Sequence, residues 1–213
     1  MVNSGFTLLV ILFLVAVFVL ALGASYYSLQ SQRRAWSELA ARTGLTFESG
    51  SFWGMPTVTG TYRDHALTLD TFRRGSGKSS TTYTRIVLFV NNQANLYLAL
   101  YEETIFSKIG KFFGTQDIQF GDDEFDRRFM IKGQPEEDVM RLLNDSTLRT
   151  KIMAARSLNI EVDGRELHFE ERYVNLDLDY TQSLFDLLTD IAVGVEQIEA
   201  RWPLTTEATP SNF

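Results

Sequence analysis

From Phe6 to Ala24 the chain runs through 19 residues without a charge, and only Thr7 and Gly23 interrupt the apolar side chains. As a helix this run spans about 28 Å, close to the ~30 Å hydrocarbon core of a bilayer. A helix also satisfies its own backbone polar groups, which lipid cannot do. No comparable apolar run follows, so the sequence predicts one transmembrane helix over 6–24, behind a short flank at 1–5.

A cleaved signal peptide is the rival reading, and Ala21-Leu22-Gly23 is a passable small-x-small site. However, the preceding MVNSG has no Lys or Arg, whereas a signal peptide carries a positive n-region. The run also exceeds the ~7–15 residues of a signal h-region. A retained signal-anchor is therefore favoured, with the lipid bilayer as its partner through Phe6–Ala24. Tyr26 and Tyr27 fall where an interfacial aromatic belt is expected. Arg33, Arg34 and Arg42 lie on the C-terminal side, so the positive-inside rule predicts a cytoplasmic body.

Composition narrows the function classes. The 213 residues include 20 Lys and Arg against 27 Asp and Glu, a net charge of −7, and no Cys. There is no disulfide framework, thiolate metal site or Cys nucleophile. The acidic balance argues against nucleic acid as a partner.

Residues 25–44 read as a juxtamembrane helix. Leu29, Trp36, Leu39 and Ala40 share a face, and Gly44 supplies a C-cap. This helix is expected to lift the body off the bilayer and to dock through Trp36. From 45 to 102 the signals are β: TVTGTY, ALTLDTF, TTYTRIVLFV and NLYLALY read as an antiparallel meander. Arg63-Asp64 marks a turn, and Gly75–Ser80 a longer hairpin loop.

The second half mixes elements. Phe125–Ile131 reads as a strand. Pro135 suits the first helical position of an acidic helix with Val139, Leu142 and Leu143 inward. A short helix follows over 147–156, with Leu148, Ile152 and Met153 inward. Asp163-Gly164 is expected to be the central pair of a type I′ hairpin turn. A long helix from 180 to 201 keeps Leu184, Leu187, Leu188, Ile191, Val195 and Ile198 on one stripe, and Pro203 ends it. The fold class is α+β: an N-terminal transmembrane helix, then a soluble domain over 45–202 of antiparallel sheet with packed helices. Residues 203–213 read as a disordered tail.

Candidate chemistry is sparse. GSGKSS at 75–80 resembles a phosphate loop, but Phe72 stands where the first Gly is needed and a strand follows instead of a helix. Arg73, Arg74 and Lys78 flank this tip and are candidate lipid or partner contacts; the bland reading is that they guard an edge hairpin. Asp117, Asp122, Asp123, Glu124 and Asp126 crowd one stretch without EF-hand spacing. A metal on Asp122, Asp123 and Asp126 is the lesser reading, a turn the better one, and no cofactor is expected. Of the two imidazoles, His65 alternates with core residues and His168 falls on the polar phase of its strand. No G-x-S-x-G or H-E-x-x-H is present. IFSKIGKFFG at 105–114 spaces Ile105, Phe106, Ile109, Phe112 and Phe113 as an amphipathic helix, either packed on the sheet or meeting lipid or a partner.

The stretch GDDEFDRRFMIKGQPEEDVMRLLNDSTLRTKIMAA with its NIEVDGRELHFEE strand pair resembles a loose group of uncharacterised prokaryotic membrane-anchored proteins. They share an FD-x-x-F strand, here Phe125-Asp126-Arg127-Arg128-Phe129, with Ile131 where Val is more usual. W-x-x-L-A-x-x-T-G-L from Trp36 and P-x-V-x-G-x-Y from Pro56 belong to the same likeness. It implies a membrane-anchored α+β domain and brings no activity, cofactor or catalytic residue. The favoured function is thus a single-pass, non-enzymatic binding or scaffold module at the membrane face, with a protein partner possible. The alternatives are a tethered hydrolase using Asp122 or Asp126, or an accessory subunit of a membrane complex.

Overall fold

The computed structural model describes residues 4–51, 54–102 and 117–200. The amphipathic stretch with Phe112 and Phe113, and the tail from 203, lie outside them.

One unbroken helix, α1 (Ser4–Thr43), opens the chain, about 60 Å long. Its first half projects free of the body with side chains exposed at Phe6 and from Leu8 to Leu22, and it is long and apolar enough to cross a membrane. Its second half changes chemistry and belongs to the body, with Trp36, Leu39 and Ala40 buried in the core. Gly44 at φ +73 ends the helix, and the Leu45 amide returns to the Ala40 carbonyl at 3.0 Å. That 6→1 bond with a left-handed glycine is a Schellman cap, the physical content of the T-G-L motif.

Eight strands form one fully antiparallel sheet: β1 (Thr46–Glu48), β2 (Thr57–Tyr62), β3 (His65–Arg74), β4 (Thr81–Phe89), β5 (Tyr97–Glu102), β6 (Phe129–Gln134), β7 (Asn159–Asp163) and β8 (Glu166–Arg172). Their order is β1-β2-β3-β4-β8-β7-β5-β6. The meander expected over 45–102 therefore stops at β4. NLYLALY does not pair with β4 but with β6 and β7, because β8 takes the free edge of β4.

Among the described residues, helices α2 (Asp123–Arg128), α3 (Glu136–Leu143), α4 (Ser146–Ala154) and α5 (Leu178–Ala200) pack with the sheet in the body. α5 lays Leu184, Phe185, Leu188, Ile191 and Val195 against the sheet, where Leu67, Leu69, Ile86, Leu88, Leu167 and Phe169 answer from alternating positions. Each such buried side chain contributes about 1.5–3 kcal/mol before entropy is charged against it.

Three local expectations are corrected. Phe125–Ile131 is not one strand: Asp122 caps α2 by accepting from the Phe125 amide at 3.2 Å, and strand geometry begins at Phe129. Acids in the first turn and Arg127 and Arg128 in the last suit the helix dipole, which outweighs the strand-like pattern. The β7–β8 turn is Gly164-Arg165, not Asp163-Gly164. Asp163 pairs with Glu166 in the ladder, and Gly164 alone has positive φ, +56. The type I′ pattern of two positive φ values sits instead at Arg63-Asp64, +45 and +71. Pro135 is the cap residue of α3, and Glu136 is its first helical position.

Candidate functional site

The geometry converges on the sheet end nearest the anchor. Residue Leu67 of β3 pairs with Gly60, whose backbone lies against Leu45 just past the end of α1. From Leu67, β3 runs to Arg74 over about 23 Å. Back along α1 from Thr43, about 22 Å leads to Ser28. The two paths meet: Ser28 lines a cleft of about 500 Å³ together with Ser80, Thr81, Thr82 and the corner Arg172–Leu176. The helix after the span therefore does not lift the body away. It packs beside the sheet, and β3 runs back along it toward the apolar half of α1.

Ser28 stands about 6 Å beyond Ala24 along the helix. A headgroup layer is about 5–7 Å deep on each side of the hydrocarbon. The β3–β4 tip and the Arg172–Leu176 corner are thus at headgroup depth when α1 spans a bilayer.

The corner is held firmly. Tyr173 has φ +72, a conformation that costs a non-glycine residue about 1–3 kcal/mol. Its backbone is fixed from both sides: Tyr173 N donates to Thr82 O at 2.8 Å, and Thr84 N and Oγ1 donate to Tyr173 O at 3.1 and 2.8 Å. Asn175 is the hub beside it. Its amide donates to Thr84 Oγ1, its side chain to Glu171 at 2.9 Å, and its carbonyl accepts from Trp36 Nε1 at 3.0 Å. Burial raises the Glu171 carboxyl above its ordinary range, while the Asn175 bond pulls it back. Asp177 then caps α5, accepting from the Tyr180 amide, and pairs with Arg156 at 2.7 Å; these hold its carboxyl below the usual range.

This rigid corner presents apolar and cationic groups outward. Tyr173 is 64% exposed and Leu176 45%. The Arg172 guanidinium lies 5.2 Å from the Tyr173 ring centroid. The segments that meet here, 25–37, 71–84 and 172–176, carry six of the chain's 20 Lys and Arg and none of its 27 Asp and Glu. Each cation near an anionic leaflet contributes about 1 kcal/mol of attraction.

The candidates from sequence divide. Arg73 is exposed and has no ion pair among the described residues. Arg74 is engaged with both Glu170 oxygens, at 3.1 and 2.9 Å, and covers the stacked rings of Phe72 and Tyr83. Lys78 sits in the 3-10 turn Gly77–Ser79, and β4 follows, so no helix dipole faces a phosphate there. Phe112 and Phe113 lie outside the described residues. Tyr173 and Leu176 were not legible as site residues; no sequence signal marks a tyrosine for positive φ.

The acidic stretch is spent on the backbone. Asp122 caps α2. The Asp126 carboxylate accepts from Phe120 N and Gly121 N at 2.8–3.1 Å. Asp117 accepts from Ile131 N at 2.8 Å, and burial raises its carboxyl. Asp123 lies in the first turn of α2. Among the described residues no three His, Asp or Glu gather as a metal set.

A second cleft, about 480 Å³, opens between α3, α4 and α5 beside Arg63, Arg141 and Lys151. Arg63 and Lys151 both pair with Asp190, and Arg141 pairs with Asp138 at 3.1 Å. Its charges are matched internally. His65 is buried, with Nδ1 2.9 Å from the Arg63 carbonyl and Nε2 3.4 Å from Glu196, and His168 contacts Glu166 at 2.9 Å, so both imidazoles are engaged away from any hydroxyl group.

No protein-family profile and no curated protein matches the chain. Among solved structures it is similar to the mycobacterial trehalose monomycolate transport factor A, TtfA. The TM-score is 0.50 at 14% identity, covering 75% of this chain and 96% of that one. At that identity the likeness shows a shared α+β fold.

Proposed function

We propose that this chain is a single-pass membrane-anchored, non-enzymatic binding module that holds a protein-recognition surface on the cytoplasmic face of the bilayer. The observation that carries the reading is the continuity of α1. One helix is free and apolar over 6–24 and is built into the core at Trp36, so body and anchor move as one piece. The cytoplasmic side is supported by Arg33, Arg34 and Arg42 after the span.

A protein partner is supported by the outer face of the sheet, which no described helix covers over β3, β4 and β8. Phe72 and Tyr83 stack there at 5.4 Å, Arg85 forms a two-pronged pair with Asp70, and Phe89 is 52% exposed. Half-buried aromatics and arginines beside an exposed phenylalanine are the composition of interface centres. The structural neighbour is a transport factor, which is in keeping with an accessory role.

A photo-crosslinking residue at Phe89 in membranes tests this. The expected product is one heterologous adduct from Phe89 and none from Arg149 on the helical face. Only self-adducts, or equal labelling from both positions, would contradict it.

A further inference from the structure

We propose that the β3–β4 tip and the Arg172–Leu176 corner form one docking edge for anionic phospholipid headgroups of the bilayer that α1 crosses. This deepens the anchored reading and rests on it. Depth is the first argument. The edge shares a cleft with Ser28, which the helix places about 6 Å from the hydrocarbon.

Charge is the second. The chain is acidic overall, at −7, yet this end gathers Arg73, Arg74, Lys78 and Arg172 against Glu170 and Glu171, a local excess of two positive charges. Arg74 is already paired with Glu170, so Arg73 and Arg172 carry the attraction, and Lys78 adds a formal charge in the sequence of the tip. An anionic leaflet attracts this end and repels the acidic remainder, which orients the body edge-down.

Shape is the third. Tyr173 is clamped in a left-handed conformation that points its ring outward beside Arg172, and Leu176 is exposed one turn of chain further on. A tyrosine with an apolar body and a polar tip suits the interfacial layer. The tip itself is small and hydroxyl-rich, with Ser76, Ser79 and Ser80 free of bulky side chains that would hold headgroups away.

The absence of Cys makes the test clean. Full-length protein carrying Ser76→Cys is labelled with an environment-sensitive fluorophore and reconstituted into vesicles. One set is phosphatidylcholine alone; the other holds about 30% phosphatidylglycerol. The expected result is a blue shift and quenching by headgroup-depth spin-labelled lipid in the anionic vesicles, roughly threefold or more above the neutral ones. About 0.5 M salt should remove most of the difference. A label at Asp64→Cys, at the far end of β3, should stay aqueous in both.

The triple variant Arg73→Glu, Lys78→Glu, Arg172→Glu should lose the anionic signal while keeping its near-ultraviolet circular dichroism. Equal signals in both vesicles, or a triple variant that behaves as the parent, would overturn the docking edge. A chain that floats with vesicles while the Ser76 label stays aqueous overturns this inference alone. A chain that fails to float at all overturns the anchored reading beneath it.

Discussion

Trp36 donates its indole Nε1–H to the carbonyl of Asn175 at 3.0 Å, joining the anchor helix to the corner where β8 turns toward α5. The indole is 1% exposed, so the bond is formed in a dry site. Because Asn175 also holds Thr84 and Glu171, the anchor is tied at once to β4, β8 and the start of α5.

Replacing Trp36 tests that joint. Trp36→Ala is expected to destabilise the body by about 3–5 kcal/mol, the range for deleting a large buried aromatic. Trp36→Phe keeps much of the packing but strands the Asn175 carbonyl, with an expected cost of about 1–3 kcal/mol. Chemical unfolding of the detergent-solubilised chain, read by near-ultraviolet circular dichroism, measures both.

Much of this joint was readable in advance. Trp36, Leu39 and Ala40 at helical spacing, then Thr43-Gly44, specify an inward face and a Schellman stop through local rules alone. The strands Thr57–Tyr62 and Thr81–Phe89 followed from their content of β-branched and aromatic residues, and His65–Arg74 also from the alternation of ALTLDTF. What failed were competitions decided by geometry elsewhere. The Asp122 cap wins Phe125 for a helix, and the ladder register moves the β7–β8 turn by one residue. The insertion of β8 beside β4 is a long-range choice that no local pattern encodes. The site was legible only as charges: Arg73, Arg74 and Lys78 stood out, but their nearness to Ser28, and the Tyr173 corner, exist only in three dimensions.

Two glycines should respond differently to alanine. A Cβ at Gly133 would meet the Tyr97 carbonyl oxygen at 2.5 Å and Val139 Cγ2 at 2.5 Å, so strand and helix must both yield. Gly133→Ala is expected to cost about 1–3 kcal/mol or more. A Cβ at Gly194 meets only Leu142, chiefly its Cδ1, and Leu142 borders the open cleft into which its end can swing. Gly194→Ala should therefore cost less, a ranking that thermal melts of the pair resolve.

Asp126 is expected to act as a loop staple. Asp126→Ala removes the acceptor of the Phe120 and Gly121 amides and should cost about 1–3 kcal/mol. Millimolar Ca²⁺ or Mg²⁺ should leave the melting temperature of the parent unchanged. A metal-dependent rise that Asp126→Ala abolishes would revive the metal reading.

Alkaline pH should unfold the body early. Burial, then the bond to Asp186, pushes the Tyr62 phenol up to about 12, and burial pushes Tyr101 to about 12 and raises Tyr97. The folded state holds these protons more tightly than the unfolded chain. Their contribution is complete below pH 10 and is lost as pH climbs from about 10 toward 12. A pH series of unfolding midpoints should be flat with respect to these groups below pH 10 and fall above it. Tyr62→Phe should shallow the fall.

The central claim is that α1 crosses a bilayer and stays joined to the body it anchors. Alkaline carbonate extraction of membranes, with intact mass determined on the protein recovered, tests it most directly. The expected result is a pelleted chain whose mass retains Phe6–Ala24. Recovery of the body in the supernatant, beginning near residue 24, would contradict it.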